Sequence, residues 1–138
     1  VVRGVKVPVL VAARAFAPIT KVLLAFDGGA SSQRALERIA QSPIMSALEV
    51  TVVTVGDSPA VEARLEAAQA HLQTLGVAAK TVLVAGQPET ALGKLVEEQG
   101  FDLLVMGAYG HSRIRSMIIG STTTEMIRSC KVPVLLVR

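Results

Sequence analysis

The residues best suited to chemistry form a spaced glycine pattern near the carboxyl end of the chain. Gly107-x2-Gly110 is followed, after nine residues that begin with His111, by Gly120-Ser121-Thr122. Glycines let a backbone approach a phosphate and expose its N–H groups, and the start of a following helix offers unpaired N–H donors. Because serine and threonine would add hydroxyl donors, a loop of this kind would hold a polyphosphate.

The same residues also have a purely structural interpretation. Glycines serve tight turns, and Thr122 with Glu125 three positions later has the spacing of an ordinary capping box. The sequence carries no Walker A motif and no dinucleotide Gly-x-Gly-x-x-Gly, and no Gly-x-Ser-x-Gly elbow surrounds His111 and Ser112. From the residues alone, phosphate binding and loop shaping are equally good hypotheses.

The elements that would position this loop alternate along the chain as strand and helix. Short runs rich in Val, Leu and Ile separate segments of helical periodicity, which predicts a parallel sheet with helices on both faces. The predicted strands are Lys21 to Phe26, Glu49 to Val55, Lys80 to Ala85, Asp102 to Met106 and Val134 to Val137. The predicted helices run from about Ser32 to Ala40, Pro59 to Leu75, Pro88 to Gly100 and Thr122 to Ser129, with Ser31 or Ser32 capping the first.

A doubly wound sheet of strand order 3-2-1-4-5 would place two further residues, Asp27 and Gly107, at a ligand-binding crevice. Its crevice lies beyond the carboxyl ends of strands 1 and 4, where Asp27 and Gly107 stand. Asp27 would accept a hydrogen bond from a ribose hydroxyl or an adenine amine, and Val55 would offer an apolar wall or backbone contacts to a base. Asp27-Gly28 is also a common turn dipeptide, so both interpretations of Asp27 stay open.

The composition fits one domain in a reducing setting. The 138 residues are 51% hydrophobic and 18% charged, within the size of a single domain. One cysteine, Cys130, excludes an internal disulfide, and we expect a cytoplasmic protein. No stretch approaches the ~18 consecutive apolar residues of a membrane span, so we expect no membrane partner.

The charge and the aromatic content argue against nucleic acid as a partner. Aromatic residues make up 3% of the chain, too few for the stacking platforms that bind single strands. The net charge of +3 is uneven, since five basic residues and one acidic residue lie from Leu103 onward. A basic end on a nearly neutral body suits a small anion better than a duplex.

A repeat at the two ends of the chain predicts its domain organisation. Lys6-Val7-Pro8-Val9-Leu10 recurs letter for letter as Lys131-Val132-Pro133-Val134-Leu135. We interpret residues 1–20 as the last strand of a preceding, similar domain plus a linker, and residues 21–138 as one domain. Val5 to Val11 should then pair antiparallel with a last strand and cover its apolar edge.

The residues resemble the universal stress protein family. The resemblance rests on Ala25-Phe26-Asp27-Gly28-Gly29-Ala30-Ser31-Ser32, on Met106-Gly107-x2-Gly110-His111-Ser112 with Gly120-Ser121, and on the Val132-Pro133-Val134-Leu135 ending. It covers Lys21 to Arg138, and the full glycine spacing is that of the family's ATP-binding branch. Two positions depart from the family: Gly29 stands where serine is frequent, and Thr122 where an apolar residue is.

The resemblance implies a fold, a ligand and a set of site residues. The fold is an α/β doubly wound, five-stranded parallel sheet of order 3-2-1-4-5, here with an extra N-terminal strand, and the ligand is ATP, with or without Mg²⁺. Family members pair through their last strands, as homodimers or as tandem pseudo-dimers. By position, adenine and ribose would face Ala25, Asp27 and Val55; the sugar and α-phosphate would face Met106 and Gly107; the phosphates would face Gly110, His111, Gly120, Ser121 and Thr122.

These observations favour a regulatory, stress-response domain that binds ATP with little or no turnover. No Walker-type lysine, obvious acidic metal pair or positioned general base accompanies the loop, and phosphoryl transfer relies on such groups. Two alternatives remain open: an enzyme that hydrolyses ATP or transfers its phosphate, using His111, Ser112 and the loop arginines, and a dimerisation module that binds no nucleotide.

Overall fold

The computed structural model describes residues 9–11, 18–107 and 131–137, and its centre is one sheet of six strands. The strands are β1 (Val9–Val11), β2 (Lys21–Ala25), β3 (Glu49–Val55), β4 (Ala79–Val84), β5 (Leu103–Gly107) and β6 (Val134–Val137). Each predicted strand of the repeat is present, with ends that differ from the prediction by no more than one residue. Gly107 is the last residue of β5 and pairs with Val137, whereas the sequence placed it in the loop after the strand.

The strand order is β1-β6-β5-β2-β3-β4. From β2 to β6 all neighbours are parallel, and their order is the predicted 3-2-1-4-5 of a doubly wound sheet. The extra strand β1 pairs antiparallel with β6, and Leu10 lies opposite Leu135. The expected antiparallel pairing of the N-terminal segment is therefore confirmed for residues 9–11, within one chain.

Four helices cover the described part of the sheet: α1 (Ala30–Gln41), α2 (Pro43–Ser46), α3 (Pro59–Thr74) and α4 (Pro88–Gln99). Three match predicted helices. The sequence did not predict α2, a four-residue helix that starts where the Ser42 hydroxyl accepts a hydrogen bond from the Met45 N–H. The helix predicted from Thr122 to Ser129 lies outside the described residues.

Two apolar layers hold the helices against the sheet. Val22 and Leu24 of β2 point to the layer shared with α1 and α3, while Leu23 points to the layer shared with α4. All three side chains are fully buried, and burying one such side chain stabilises the fold by about 1.5–3 kcal/mol. This alternation fixes the register of the central strand, because a slip of one residue would exchange the two layers.

Helix α1 begins earlier than the sequence predicted, and neither Ser31 nor Ser32 is its cap. The N-cap is Gly29, in extended conformation and without a capping side chain. Ser31 and Ser32 lie inside the first turn and are buried. The prediction was wrong because the Asp27 carboxylate accepts a hydrogen bond from the Gly29 N–H. The turn before the helix therefore ends at Gly29, two residues before Ser31, and the helix begins at Ala30.

Asp102 ties the start of β2 to the start of β5 at the amino edge of the sheet. Its Oδ2 accepts hydrogen bonds from the N–H groups of Thr20 and Lys21, at 3.0 Å each, and from Thr20 Oγ1 at 2.9 Å. The backbone N–H groups of Lys21 and Thr20 lower the pKa of the Asp102 carboxyl because they stabilise its charged form.

No helix within the described ranges has the length and apolar character that crossing a bilayer requires.

Candidate functional site

The candidate site lies at the carboxyl edge of the sheet, where β2 and β5 lie side by side. Ala25 is paired with Met106 across these strands. The chain adds β3 and β4 on one side of β2, then crosses to the other side for β5 and β6. The crevice at such a reversal is the usual ligand site of a doubly wound sheet. The structure thus brings Asp27, just past the end of β2, to the same edge as Gly107.

The Asp27 carboxylate is held on one side by the start of α1. Its Oδ1 accepts a hydrogen bond from the Gly29 N–H and another from Ser32 Oγ, both at 2.8 Å. Within the described residues, no hydrogen bond reaches Oδ2. The turn interpretation of Asp27-Gly28 is therefore correct, and it is compatible with binding: Oδ1 orients the group, and Oδ2 accepts no hydrogen bond from the residues that the structure describes.

Gly107 is required by the packing of β5 against α1. A Cβ built on Gly107 would lie 2.6 Å from the Cβ of Ser31 and 2.9 Å from the backbone nitrogen of Ser32. Side chains do not approach that closely, so any larger residue would push the strand and the helix apart. The first glycine of the spaced pattern thus has a structural reason of its own, whether or not it also admits a phosphate.

Three residues supply an apolar wall beneath this edge. Met106 is buried, and Ala25 and Val55 are half-buried against the layer that contains α4. The end of β3 is anchored, since the Gly56 N–H donates to the carbonyl of Val84 at 2.8 Å. The partial exposure of Ala25 and Val55 leaves apolar surface that a planar base can contact.

The other predicted site residues fall on a part of the chain that the structure does not describe. These are Gly110, His111, Gly120, Ser121 and Thr122, and their placement stays a prediction. The described residues therefore supply the sugar and base side of the expected site. They contain no group of three or more His, Cys, Asp or Glu that is able to hold a metal ion.

Sequence reasoning missed two contacts that shape the site. The Nη1 of Arg64 donates to the backbone carbonyl of Asp27 at 3.2 Å, and the hydroxyl of Thr54 donates to the carbonyl of Phe26 at 2.8 Å. Both donors are far from Asp27 in sequence and belong to no motif, so no local signal marked them. Together they fix the backbone on which Asp27 stands.

Residues 18–138 match the model of the universal stress protein family. Universal stress protein Slr1230 of Synechocystis sp. is 40% identical over 141 residues, which cover 100% of this chain and 49% of that protein. The chain therefore spans about half the length of this relative.

Two solved structures show the same fold. A universal stress protein from Archaeoglobus fulgidus has a TM-score of 0.79 and 26% identity, over 96% of this chain and 50% of that one. A universal stress protein in complex with cAMP has a TM-score of 0.73 and 30% identity, over 88% of this chain and 98% of that one. The family match extends over nearly the whole sequence, and the chain belongs to the universal stress protein family.

Proposed function

We propose that this chain binds an adenine nucleotide, ATP, at the carboxyl edge of β2 and β5, and that binding serves regulation with little or no turnover. The observation that carries the proposal is the Asp27 carboxylate, oriented through Oδ1 by Gly29 and Ser32 at the point where the sheet reverses. The structure of a relative in complex with cAMP supports an adenine nucleotide as the class of ligand.

Each part of the site has a role in this proposal. The Oδ2 of Asp27 accepts a hydrogen bond from a ribose hydroxyl or the adenine amine, and Ala25 and Val55 contact the base. Met106 and Gly107 border the sugar and the α-phosphate. The phosphates are assigned, by the resemblance of this segment to the family motif, to Gly110, His111, Gly120, Ser121 and Thr122. Mg²⁺ has no assigned protein ligand and would accompany the phosphates.

Slow turnover follows from what the sequence offers to phosphoryl transfer. The chain lacks a Walker A lysine, and catalysis of this reaction depends on positioned cations and on a group that orients the nucleophile. We therefore expect bound ATP to be retained. Incubation with ATP and Mg²⁺ followed by measurement of ADP tests this part: multiple turnovers per minute that resist further purification would contradict it.

Isothermal titration with ATP tests binding. We expect saturable binding to the wild-type chain and a loss of about tenfold or more in affinity for Asp27→Ala, because a hydrogen bond to a charged group contributes about 1.5–3 kcal/mol. Glu66→Ala removes an exposed carboxylate from α3 and is the matched control, with unchanged affinity expected. Absence of binding to the wild type at millimolar ATP would refute the proposal.

We further propose that residues 1–20 are the end of a preceding domain of the same kind, so that residues 21–138 form one half of a tandem protein. Three observations support this: the repeated Lys-Val-Pro-Val-Leu segment, the antiparallel pairing of β1 with β6, and relatives about twice as long as this chain. In this arrangement, β1 occupies the place of a partner's last strand.

A further inference from the structure

The Arg64 side chain lies across the turn that presents Asp27, and the roles assigned above do not use it. Arg64 is on the second turn of α3, and its Nη1 reaches the carbonyl of Asp27 across 37 positions of sequence. The same side chain covers Gly28, where a Cβ would lie 2.4 Å from the Cδ of Arg64 and 3.0 Å from its Nε. One arginine therefore contacts both residues of the turn.

The charge of Arg64 is not explained by an ion pair within the described residues. The four ion pairs found there join other side chains. Arg64 is exposed, and exposed side chains of this kind contribute little to folding stability. A guanidinium that lies on a turn, and whose contacts there are to backbone, acts mainly on the conformation of that turn.

The Asp27–Gly28 turn needs a stabilising contact because the backbone dihedrals of glycine are less restricted than those of other residues. Gly28 has φ of +84°, a conformation that glycine adopts readily and leaves readily. The carboxylate is anchored from one side by the Gly29 N–H and Ser32. Arg64 anchors the other side, since its bond to the Asp27 carbonyl fixes the peptide plane between Asp27 and Gly28.

We propose that Arg64 is a positioning residue of the nucleotide site, which holds the Asp27–Gly28 turn so that the Asp27 carboxylate faces the ligand. This inference rests on the proposed function. It assigns Arg64 no direct contact with the nucleotide: the effect of Arg64 on affinity passes through Asp27.

A double-mutant cycle measured with ATP tests the coupling. Arg64→Ala should weaken binding about three- to tenfold in the wild-type background, as the loss of one hydrogen bond predicts. In the Asp27→Asn background the same change should alter affinity by less than about twofold, because coupled residues are not additive. Equal losses in both backgrounds, or no loss in the first, would overturn the inference.

A second measurement needs no nucleotide and separates this inference from the proposed function. The Gly29 amide donates to Asp27, so Arg64→Ala should speed its hydrogen exchange in the unliganded protein about tenfold while the melting temperature stays within about 2 °C, as expected for an exposed residue. Unchanged exchange would refute the role of Arg64 even if ATP binds. Failure of the wild type to bind ATP, with faster exchange in Arg64→Ala, would refute the proposed function and the role of Arg64 towards a nucleotide, but not its hold on the turn.

Two variants serve as controls. Arg38→Ala removes an exposed arginine from the last turn of α1, at the opposite edge of the sheet, and should change neither affinity nor exchange. Compared with Arg64→Ala, Arg64→Lys should recover part of the ATP affinity and part of the protection of the Gly29 amide from exchange. An ammonium can still donate one hydrogen bond to the Asp27 carbonyl, but it lacks the planar group that covers Gly28. If Arg64→Lys behaves as Arg64→Ala in both measurements, the carbonyl bond is not what positions the turn.

Discussion

At the end of β5, the close packing against α1 requires that residue 107 has no side chain. Gly107→Ala would place a Cβ within 3 Å of Ser31 Cβ and of the Ser32 backbone nitrogen. The helix backbone cannot swing aside as a long side chain would, so we expect the free energy of unfolding in urea to fall by about 1–3 kcal/mol, the usual cost of overpacking.

Gly93→Ala is the matched control for this substitution. Gly93 lies within α4, and a Cβ there would meet nothing within 4 Å. Since alanine is a better helix former than glycine, this change should stabilise the protein by about 0.5–1 kcal/mol. Equal effects of the two substitutions would show that contact with α1 does not require the glycine at position 107.

Single residues of the site were only partly predictable from the sequence. Asp27 was identified because it follows the first strand, at the reversal of the predicted doubly wound sheet, and because its segment resembles the family motif; the Asp27-Gly28 turn dipeptide alone favoured a structural role. The partners of Asp27 were not identified: Ser32 was predicted to be a helix cap, and Arg64 lies on a different helix. Hydrogen bonds between distant segments depend on how helices pack, and no spacing in the sequence encodes that.

At the scale of elements, the sequence was informative wherever an element is long and buried. The strands could be located because they are runs rich in Val and Leu, and α3 because it lies between Pro59 and Gly76. The short α2 could not be predicted, since four residues are too few to show a helical period. The extra strand β1 was predicted from the repeated Lys-Val-Pro-Val-Leu segment, and not from hydrophobic periodicity.

The strand β1 protects the edge of β6, and its removal makes an element-level prediction. A chain of residues 18–138 lacks β1 and exposes the apolar edge of β6, which can pair antiparallel with the same edge of a second molecule. We expect this variant to form dimers at protein concentrations on the order of tens of micromolar, measured by light scattering coupled to size exclusion. Association should be this weak because the edge of one strand buries only a small interface.

A chain of residues 9–138 is the control for that truncation, because it keeps β1. It should show less self-association than residues 18–138 at equal concentration, and circular dichroism should confirm that both variants are folded. Identical association of the two would mean that β1 does not block the edge, and it would remove one support for the tandem proposal.

At the scale of the whole molecule, candidate binding and structural anchoring occupy opposite edges of one sheet. β2 and β5 are the neighbours at the reversal of the winding. Their carboxyl ends carry Asp27 and Gly107, and their amino ends are joined through Asp102. Because the two strands are fixed at the amino edge, the spacing of the residues at the carboxyl edge depends in part on that anchor.

Asp102 should therefore make the stability of the whole molecule depend on pH. Its folded-state pKa is lowered, chiefly by the N–H groups of Lys21 and Thr20, so its contribution is full above the unfolded pKa and is lost as pH falls through the folded pKa. Asp102→Asn should lower the free energy of unfolding by about 1 kcal/mol at pH 7, a value kept low by partial exposure.

The difference between wild type and Asp102→Asn should shrink below about pH 4, where the carboxyl begins to take up a proton in the unfolded chain and then in the folded one. Urea unfolding followed by circular dichroism from pH 7 to pH 2.5 measures it. Glu66→Gln neutralises an exposed carboxylate of α3 and should differ little from wild type at neutral pH. A difference for Asp102→Asn that stays constant down to pH 2.5 would show that Asp102 contributes through its shape, and not through the negative charge with which it accepts hydrogen bonds from Thr20 and Lys21.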